Sequence, residues 1–500
     1  MPFLWLFVTY LAALTALAWT QRRRAATPAG FYLGDRRFGA LPTGFSLAAT
    51  TIGASAILTE GELVYTHGMG GVWMDLAGAL GLGALGMWLV PRVRAGARTS
   101  LAEIAGALFG PQVRVLSALL VVAAEVGWLA LLLRGAESIL VASGEVRPEW
   151  ALALAVAAFA GYTCIGGQHA VTWSDVVQFS VMCGGLLLVA LPAALVAGGA
   201  ALWRPGPVWN FPWGADWPPQ RALEMLLMVG LPHLVGSDVY AKVLAARDES
   251  SARRGAIFAA AAKAVFGVAI ALIALAARQG LPGLQPAAAA VPLYLKEVLP
   301  AGLHLVVLLA LMATVVSSAD TVLLTATTIL LHDLLPGIGW NRPGARRAAA
   351  GEGAEVGGGS AGAADRGEAA AGKAGGAAVG TSALATRWAA VLTLASLAVL
   401  LALRLGTMMK IFTWAYSLFA AGLSLPILLG LLLGGRLPGR AARAGMATGA
   451  ACAAVAGLRG APLPVVFGLA GCVLAMALVW CFGGRVTSWT GRVPGGRNNA

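Results

Sequence analysis

Apolar runs of about 20 residues recur along the whole chain, and they limit what it can fold into. A helix of about 20 residues spans the hydrocarbon core of a bilayer, whereas the strands of a membrane β-barrel show shorter segments of alternating polarity. Hydrophobic residues make up 59% of the 500 residues and charged residues 11%, against the roughly 25% charged residues of a typical soluble domain. This composition excludes an ordinary soluble enzyme and a disordered chain. The sequence therefore predicts an all-α integral membrane protein.

Hydropathy predicts about 13 transmembrane helices, at residues 2–20, 44–67, 70–91, 112–143, 149–166, 174–199, 222–243, 254–278, 301–332, 384–404, 408–434, 441–458 and 463–483. The first segment has three arginines after it and no basic residue before it, the reverse of a signal peptide. With the N-terminus outside, the inner loops hold 24 of the 35 Lys and Arg residues and the outer loops eight. This bias predicts a multi-pass protein of the cell (inner) membrane with a cytoplasmic C-terminus. The net charge of +13 is then an orientation signal, and no nucleic-acid partner is predicted.

Residues 341–383 are different in composition, being rich in Gly and Ala with scattered charges and no apolar period. Such a stretch is typical of a flexible linker, which the span count places in the cytoplasm. The five cysteines all lie in apolar segments and form no CxxC pair, so neither a disulfide nor a zinc site is predicted.

Two spans carry polar, helix-breaking segments at matching positions. The second span contains Gly53, several hydroxyl residues and Glu60, and the seventh contains Pro232 between glycines, followed by His233 and Asp238. Paired interruptions of this kind are typical of transporters built from inverted repeats. They predict a five-plus-five inverted-repeat core, with an extra span and loop at 1–43, the first repeat at 44–199, the second repeat at 200–435, and two extra spans with a short tail at 436–500.

The ninth span places Ser317 and Ser318 in the middle of a long apolar helix. Hydroxyl oxygens and free backbone carbonyls suit a hard cation such as sodium, and an interrupted span 2 exposes such carbonyls. Serine pairs in membrane helices also bond back to their own helix or to a neighbour, so both interpretations remain open at this point.

Four stretches together carry a family resemblance: residues 31–50, 161–178, 245–254 and 313–320. The most specific is 161–178, which is close to the pattern Y-T-x-x-G-G-x-x-A-V-x-W-T-D-x-x-Q. On these motifs the chain resembles the sodium/solute symporters, relatives of the sodium–proline, sodium–pantothenate and sodium–sugar carriers. The resemblance implies a core of the amino-acid-transporter type and sodium as a co-transported ion rather than a prosthetic group.

The resemblance also implies a site. Sodium would lie between spans 2 and 9, bound by the carbonyls of Gly53, Ala56 and Thr314 and by the hydroxyls of Ser317 and Ser318. Asp175 matches a family acid on the cytoplasmic side that is linked to sodium release. At the mouth of its span, this carboxylate would attract an outgoing cation.

Ionisable residues inside spans are functional candidates by default. Arg134 is either an ion-pair partner of Glu137 or a ligand for a substrate carboxylate. In the second case Glu60 and Asp238 would face a substrate amino group, and the solute would be amino-acid-like or otherwise zwitterionic. His233 is either a proton relay or a hydrogen-bonded packing residue. If protons replace sodium, the coupling candidates are Glu60, Asp238 and Asp320.

These residues fit four classes of function unequally well. Secondary active transport of a small solute fits best, coupled to sodium or, alternatively, to protons. An enzyme is not predicted, because the sequence holds no HExxH or P-loop motif and the GxGxxG match at 81–86 lies inside a span. A non-transporting sensor and a channel remain as weaker alternatives, and the oligomeric state is not predicted.

Overall fold

The computed structural model describes residues 1–53, 55–96, 98–337, 367–434, 436–461 and 463–482. Within these ranges the regular structure is helical, apart from one isolated bridge between Phe38 and Ala246. The α-helices are α1 Pro2–Gln21, α2 Pro28–Leu33, α3 Ala40–Thr51, α4 Glu60–His67, α5 Trp73–Ala84, α6 Val90–Arg94, α7 Leu101–Phe109, α8 Pro111–Ala142, α9 Pro148–Met182, α10 Leu191–Gly198, α11 Pro219–Met225, α12 Leu231–Leu234, α13 Ser237–Ala245, α14 Glu249–Gly280, α15 Ala290–Val298, α16 Ala301–Ile329, α17 Leu335–Gly337, α18 Gly367–Leu405, α19 Met408–Phe419, α20 Leu425–Leu433, α21 Gly439–Leu458 and α22 Pro464–Phe482.

Short π-helical turns join several of these helices into longer rods, and the joined pairs are α5–α6, α9–α10, α11–α12, α16–α17 and α19–α20. A π turn keeps the backbone hydrogen-bonded while it shifts the register of the side chains. Inside a bilayer this matters, because every backbone polar group must find a partner within the protein.

Eleven helical segments of the described chain are long and apolar enough to cross a membrane. Two of the thirteen predicted spans are not among them. The predicted span 44–67 is divided into short helices, and the predicted span 149–166 contains the shorter apolar helix Pro148–Phe159. The structure therefore confirms a helical, multi-span architecture, and the count of thirteen stays a prediction.

Both predicted helix interruptions are present. Helix α3 ends at Thr51, and Ile52 leaves the helical region with φ −100° and ψ 62° before the π turn Ser55–Thr59 begins. Helix α12 ends at Leu234, and Val235 has φ −134° and ψ 79° before α13 starts. Each break leaves backbone groups without the partners that a continuous helix supplies.

Helix α16 lies at the centre of the molecule, packed against α3, α8 and α9. Every residue from 310 to 329 is buried. A helix that is enclosed on all sides needs apolar residues on all faces, so the few polar side chains that α16 carries must find partners inside the protein.

The predicted linker 341–383 is only partly tested. Residues 341–366 lie outside the described residues. Helix α18 begins at Gly367, however, so the expectation of an irregular loop is wrong for residues 367–383. The many alanines of this stretch offer a physical reason, because Ala has the highest intrinsic helix propensity.

Glycines allow close contact between α21 and its neighbours. Substitution of a glycine at such a contact should therefore destabilise the protein more than substitution of a glycine elsewhere on the helix. A Cβ at Gly449 would overlap the carbonyl oxygen of Ala421 and the side chain of Cys472, whereas a Cβ at Gly457, on the same helix, would meet nothing within 4 Å. We expect Gly449→Leu to lower the free energy of unfolding by roughly 1–3 kcal/mol through overpacking. Gly457→Leu is the matched control and should change it by less than about 0.5 kcal/mol. Thermal unfolding of both variants in detergent checks this, and equal effects would contradict the packing.

Candidate functional site

A cavity lies where the two helix breaks meet. It is bordered by both breaks and by α8, α16 and α19, and its lining residues are Thr50, Thr51, Trp128, Leu131, Leu132, Pro232, His233, Asp238, Val239, Ser318, Val322 and Tyr416. Cavities at repeat interfaces formed by broken helices are the usual binding sites of transporters. This cavity is therefore the candidate solute site.

The serine pair predicted to bind a cation contacts the end of α3. Ser317 Oγ donates to the carbonyl oxygen of Ala49 at 2.9 Å, and Ser318 Oγ donates to that of Thr50 at 2.9 Å. Both hydroxyls also lie 3.0–3.1 Å from the carbonyl oxygen of Thr314. The pair thus bonds to its own helix and to its neighbour at once.

Gly53 lies directly against Ser318. A Cβ at position 53 would overlap the Ser318 hydroxyl, so only glycine allows this approach. The Gly53 carbonyl accepts a bond of 3.3 Å from the Ile57 backbone NH. Ala56 lies in the π turn Ser55–Thr59, and its side chain is outside the described part of the structure. The structure thus brings Gly53, Thr314, Ser317 and Ser318 together at the first break.

The carbonyls freed by the breaks are satisfied by side chains. The Thr51 carbonyl accepts from Lys263 Nζ at 2.6 Å. At the second break the carbonyls of Leu234 and Val235 each accept a hydroxyl bond of 3.2 Å, from Tyr240 and Ser424 respectively. A carbonyl oxygen has two lone pairs, so each retains acceptor capacity toward a cation.

The cavity has one carboxylate among its lining residues, that of Asp238. Asp238 Oδ1 accepts from the Val239 backbone NH at 2.8 Å, which holds the side chain at the start of α13. The adjacent Ser237 hydroxyl donates to buried Glu125 of α8, tying the second break to that helix. Together these bonds fix the position of the carboxylate at the cavity wall.

Aromatic rings form another part of the cavity. Trp128 lies edge-on to Tyr416 with 5.3 Å between ring centroids, and the His233 ring lies nearly parallel to that of Tyr416 at 6.5 Å. His233 Nδ1 contacts the Val229 carbonyl at 2.9 Å, so His233 is a hydrogen-bonded residue of the cavity wall. An acid beside aromatic faces is suited to a positively charged group.

Two predicted substrate ligands lie elsewhere. Arg134 forms an ion pair with Glu137 at 2.6 Å and donates to the Ala402 carbonyl at 3.0 Å, and it does not line the cavity. Its face of α8 is turned to α18, so the structure shows the ion-pair alternative, and a contact with a substrate carboxylate stays a prediction. Glu60 is fully buried and also does not line the cavity, so its predicted pairing with Asp238 around one amino group has no support from the cavity lining and stays a prediction.

Asp175, which we predicted to attract an outgoing cation at the mouth of its span, is enclosed in this structure. It is fully buried, and its Oδ2 pairs with Lys242 Nζ at 2.8 Å while accepting a bond from the Ser46 hydroxyl. The ammonium neutralises the carboxylate, and the pair joins α9 to α13 and α3. Asp320, another coupling candidate, is buried on α16 with Ser174 Oγ 3.4 Å from its Oδ2.

Sequence reasoning missed two residues of this buried polar network. Lys242 lies at the end of the predicted span 222–243 and was not among the candidate residues, yet it is 2% exposed. Asp75 is an acid within a predicted span, a signal that was available. It accepts from Lys263 Nζ at 2.8 Å.

The buried Asp175–Lys242 pair predicts that removing one partner destabilises the protein more than removing both. We expect Lys242→Met to cost roughly 3–5 kcal/mol of unfolding free energy, because Asp175 is left as an uncompensated buried charge. Adding Asp175→Asn should recover most of that loss. Arg247→Met is the control, since Arg247 pairs with Asp248 at the surface, where an ion pair contributes about 1 kcal/mol or less. Additive losses in the double variant, measured by unfolding in detergent, would contradict the pairing.

Comparison with known proteins agrees with the predicted resemblance. The sequence model of the sodium:solute symporter family matches residues 31–203. The human sodium/iodide cotransporter is 29% identical over 170 residues, which cover 34% of this chain and 26% of that protein. The sodium/pantothenate symporter of Escherichia coli is 24% identical over 65% of this chain and 71% of its own length. A high-affinity choline transporter of Torpedo marmorata is 23% identical over 60% of this chain and 55% of its own length.

Solved structures agree in fold. A sodium-coupled sialic acid symporter in a substrate-bound outward-open state aligns over 96% of this chain and 97% of its own, with a TM-score of 0.73 and 17% identity. A nucleobase-cation-symport-1 family transporter in a closed conformation aligns over 90% of this chain and 94% of its own, with a TM-score of 0.56 and 13% identity. The relatives are transporters rather than enzymes. The motifs, the fold and these relatives together confirm the resemblance of this chain to the sodium:solute symporter family.

Proposed function

We propose that this protein is a secondary active transporter that couples the inward movement of a small organic solute to sodium, by alternating access. The observation that carries the proposal is the meeting of Ser317 and Ser318 with the carbonyl end of α3, beside a cavity bordered by both helix breaks. The family of the relatives supports the coupling ion, since their names specify sodium cotransport or symport.

The proposed sodium site needs no carboxylate. Sodium is a hard cation that takes oxygen ligands, and the first break offers hydroxyls and carbonyls at close spacing. A serine that donates its hydrogen to a carbonyl still has lone pairs to give to a cation. We place the ion between the carbonyls of Gly53, Ala56 and Thr314 and the hydroxyls of Ser317 and Ser318, so that it would bind α16 to the first broken helix.

Alternating access requires ties on both sides of the cavity that form and release. The buried bonds among Ser46, Asp175 and Lys242 are the tie on the predicted cytoplasmic side. On the other side the Tyr65 hydroxyl donates to the Leu281 carbonyl and accepts from the Leu284 NH. We propose that inward opening separates Lys242 from Asp175, and that the exposed carboxylate then attracts the outgoing sodium.

The cavity favours a solute that carries a positively charged nitrogen. Asp238 supplies the opposite charge, and Trp128 and Tyr416 supply π faces. An amine-bearing zwitterion and a quaternary ammonium solute both satisfy this requirement. The relatives named for choline transport support the second class, while those named for iodide and pantothenate show that the solute varies among relatives.

The sodium assignment is tested by transport. We expect Ser317→Ala combined with Ser318→Ala to abolish sodium-stimulated solute uptake into proteoliposomes, because two of the proposed ligand oxygens are lost. Thr327→Val is a control on the same helix, since Thr327 does not contact the first break through any described hydrogen bond. Unchanged sodium dependence in the double variant would refute the assigned site.

The solute class is tested by binding. We expect Asp238→Asn to weaken the binding of a cationic solute by about 10-fold or more, as loss of a charge-assisted contact of roughly 1.5–3 kcal/mol implies. A thermal-shift screen of quaternary ammonium compounds, amino acids, organic acids and sugars identifies the ligand first, because a bound ligand stabilises the folded state. Glu137→Gln, which removes an acid outside the cavity, should leave the affinity unchanged. Equal affinities in the wild type and Asp238→Asn would contradict the assigned role.

A further inference from the structure

A second cluster of buried charges lies next to the first helix break and outside the candidate solute cavity. It consists of Glu60 on α4, Asp75 on α5 and Lys263 on α14, which are 0%, 0% and 2% exposed. Lys263 Nζ donates to Asp75 Oδ1 at 2.8 Å and to the Thr51 carbonyl at 2.6 Å. One ammonium therefore connects a carboxylate to the backbone of the break.

Glu60 is the carboxyl without a cation partner of its own in this cluster. The Asp75 carboxyl and backbone NH lie beside the Glu60 carboxyl, and neither Glu60 oxygen makes a bond of full hydrogen-bond geometry within the described part of the chain. Asp75 and Lys263 both lie within its electrostatic range, and Lys263 is already paired with Asp75. With both acids ionised, the cluster would carry one uncompensated negative charge away from water.

The surrounding elements supply no further cation to Glu60. His233 of α12 and Asp238 of α13 are the other titratable groups within electrostatic range of Lys263. Helix α15 also packs on α4, and it places apolar Val291 against Gly61, while its charged residues Lys296 and Glu297 are exposed. Arg278 of α14 donates to the Thr66 carbonyl at the other end of α4, so among the described residues Lys263 is the positive charge within electrostatic range of Glu60.

The charges around Glu60 favour a proton over a metal cation as its ligand. An ionised carboxylate buried without a partner costs several kcal/mol, so the group takes up a proton instead. A metal cation at Glu60 would face the Lys263 ammonium at short range and be repelled by it. A proton bound covalently to the carboxyl removes the excess charge and meets no such repulsion.

We propose that Glu60, Asp75 and Lys263 form a proton-binding site that controls the first helix break. With a proton on Glu60, Lys263 divides its bonds between Asp75 and the Thr51 carbonyl, as observed. When Glu60 releases its proton to solvent, the Lys263 ammonium is drawn toward two carboxylates. The Thr51 carbonyl, which borders the solute cavity next to Ser318, is then free.

The movement of Lys263 between the Thr51 carbonyl and the carboxylates determines how protonation of Glu60 affects sodium binding. This step of the inference rests on the proposed sodium site. Withdrawal of the Lys263 ammonium from the break frees an oxygen and removes a positive charge, so sodium affinity rises with pH. By reciprocity, sodium binding releases protons. The transporter would then exchange protons at Glu60 as sodium enters the adjacent break.

Infrared difference spectroscopy of the purified protein tests the proton site without transport. We expect a protonated-carboxyl band in the wild type that is absent in Glu60→Gln. It should also disappear in Asp75→Asn, because Lys263 then becomes the counter-ion of an ionised Glu60. Glu62→Gln is the matched control, being a half-buried glutamate on the same helix outside the cluster, and it should retain the band. A structural role for Glu60 alone would not remove the band in Asp75→Asn.

Sodium titration by calorimetry in buffers of different ionisation heat tests the coupling. We expect proton release on sodium binding to the wild type and to Glu62→Gln, and none for Glu60→Gln, whose neutral amide imitates the protonated acid. A carboxyl band or proton release that persists in Glu60→Gln would overturn the proposal. If the wild type binds no sodium at any pH, the sodium-symport proposal fails, and the infrared band still decides whether Glu60 holds a proton.

Discussion

The structure depends on how the protein satisfies the carbonyl groups at the end of α3. In a bilayer these groups cannot turn to water, and an interrupted helix gives them no partner in the chain that follows. Three successive carbonyls, those of Ala49, Thr50 and Thr51, receive donors from Ser317, Ser318 and Lys263 respectively. Two of these donors come from the central helix α16, so the break and the core of the molecule position each other.

Because side chains rather than the backbone bond to these carbonyls, ions can bind at the first break. A helix interior holds its carbonyls in bonds that a cation cannot enter, whereas side-chain donors can shift by small rotations. A serine hydroxyl that shares its oxygen with sodium keeps its hydrogen bond to the backbone carbonyl. The Lys263 ammonium, if it moves toward a second carboxylate, breaks its bond to the Thr51 carbonyl. The same backbone groups can therefore respond to a metal ion from one side and to a proton from the other. The second break is tied through Ser237 to Glu125, and it supplies the carboxylate of Asp238 to the solute cavity.

Much of this architecture could be predicted from the sequence because it follows from local patterns. Apolar runs gave the spans, and polar residues with Gly53 and Pro232 located both breaks. The serine pair was identified because hydroxyls are rare at the centre of such a helix. Other features could not be predicted, because local composition does not determine them. Which face of α8 carries Arg134 depends on helix rotation, and it faces α18 rather than the cavity.

Pairings between residues that are distant in the sequence could not be predicted either. Lys263 and Asp75 are 188 residues apart, and nothing in either segment specifies the other. Lys242 lies at the very end of a predicted span, and only the packed structure shows that Asp175 neutralises it. These buried pairs change the interpretation of the site, because the Asp175 carboxylate, which was predicted to attract a cation, is already paired with the Lys242 ammonium.

The central claim is that sodium binds where Ser317 and Ser318 meet the first break, and a density map tests it most directly. Cryo-electron microscopy of the protein in a lipid nanodisc, with saturating sodium and with sodium replaced by a large organic cation, would be compared at equal resolution. We predict a compact density in contact with Ser318 Oγ and the Gly53 carbonyl in sodium alone. Identical maps, with the serine hydroxyls bonded only to the carbonyls of Ala49, Thr50 and Thr314, would contradict the account.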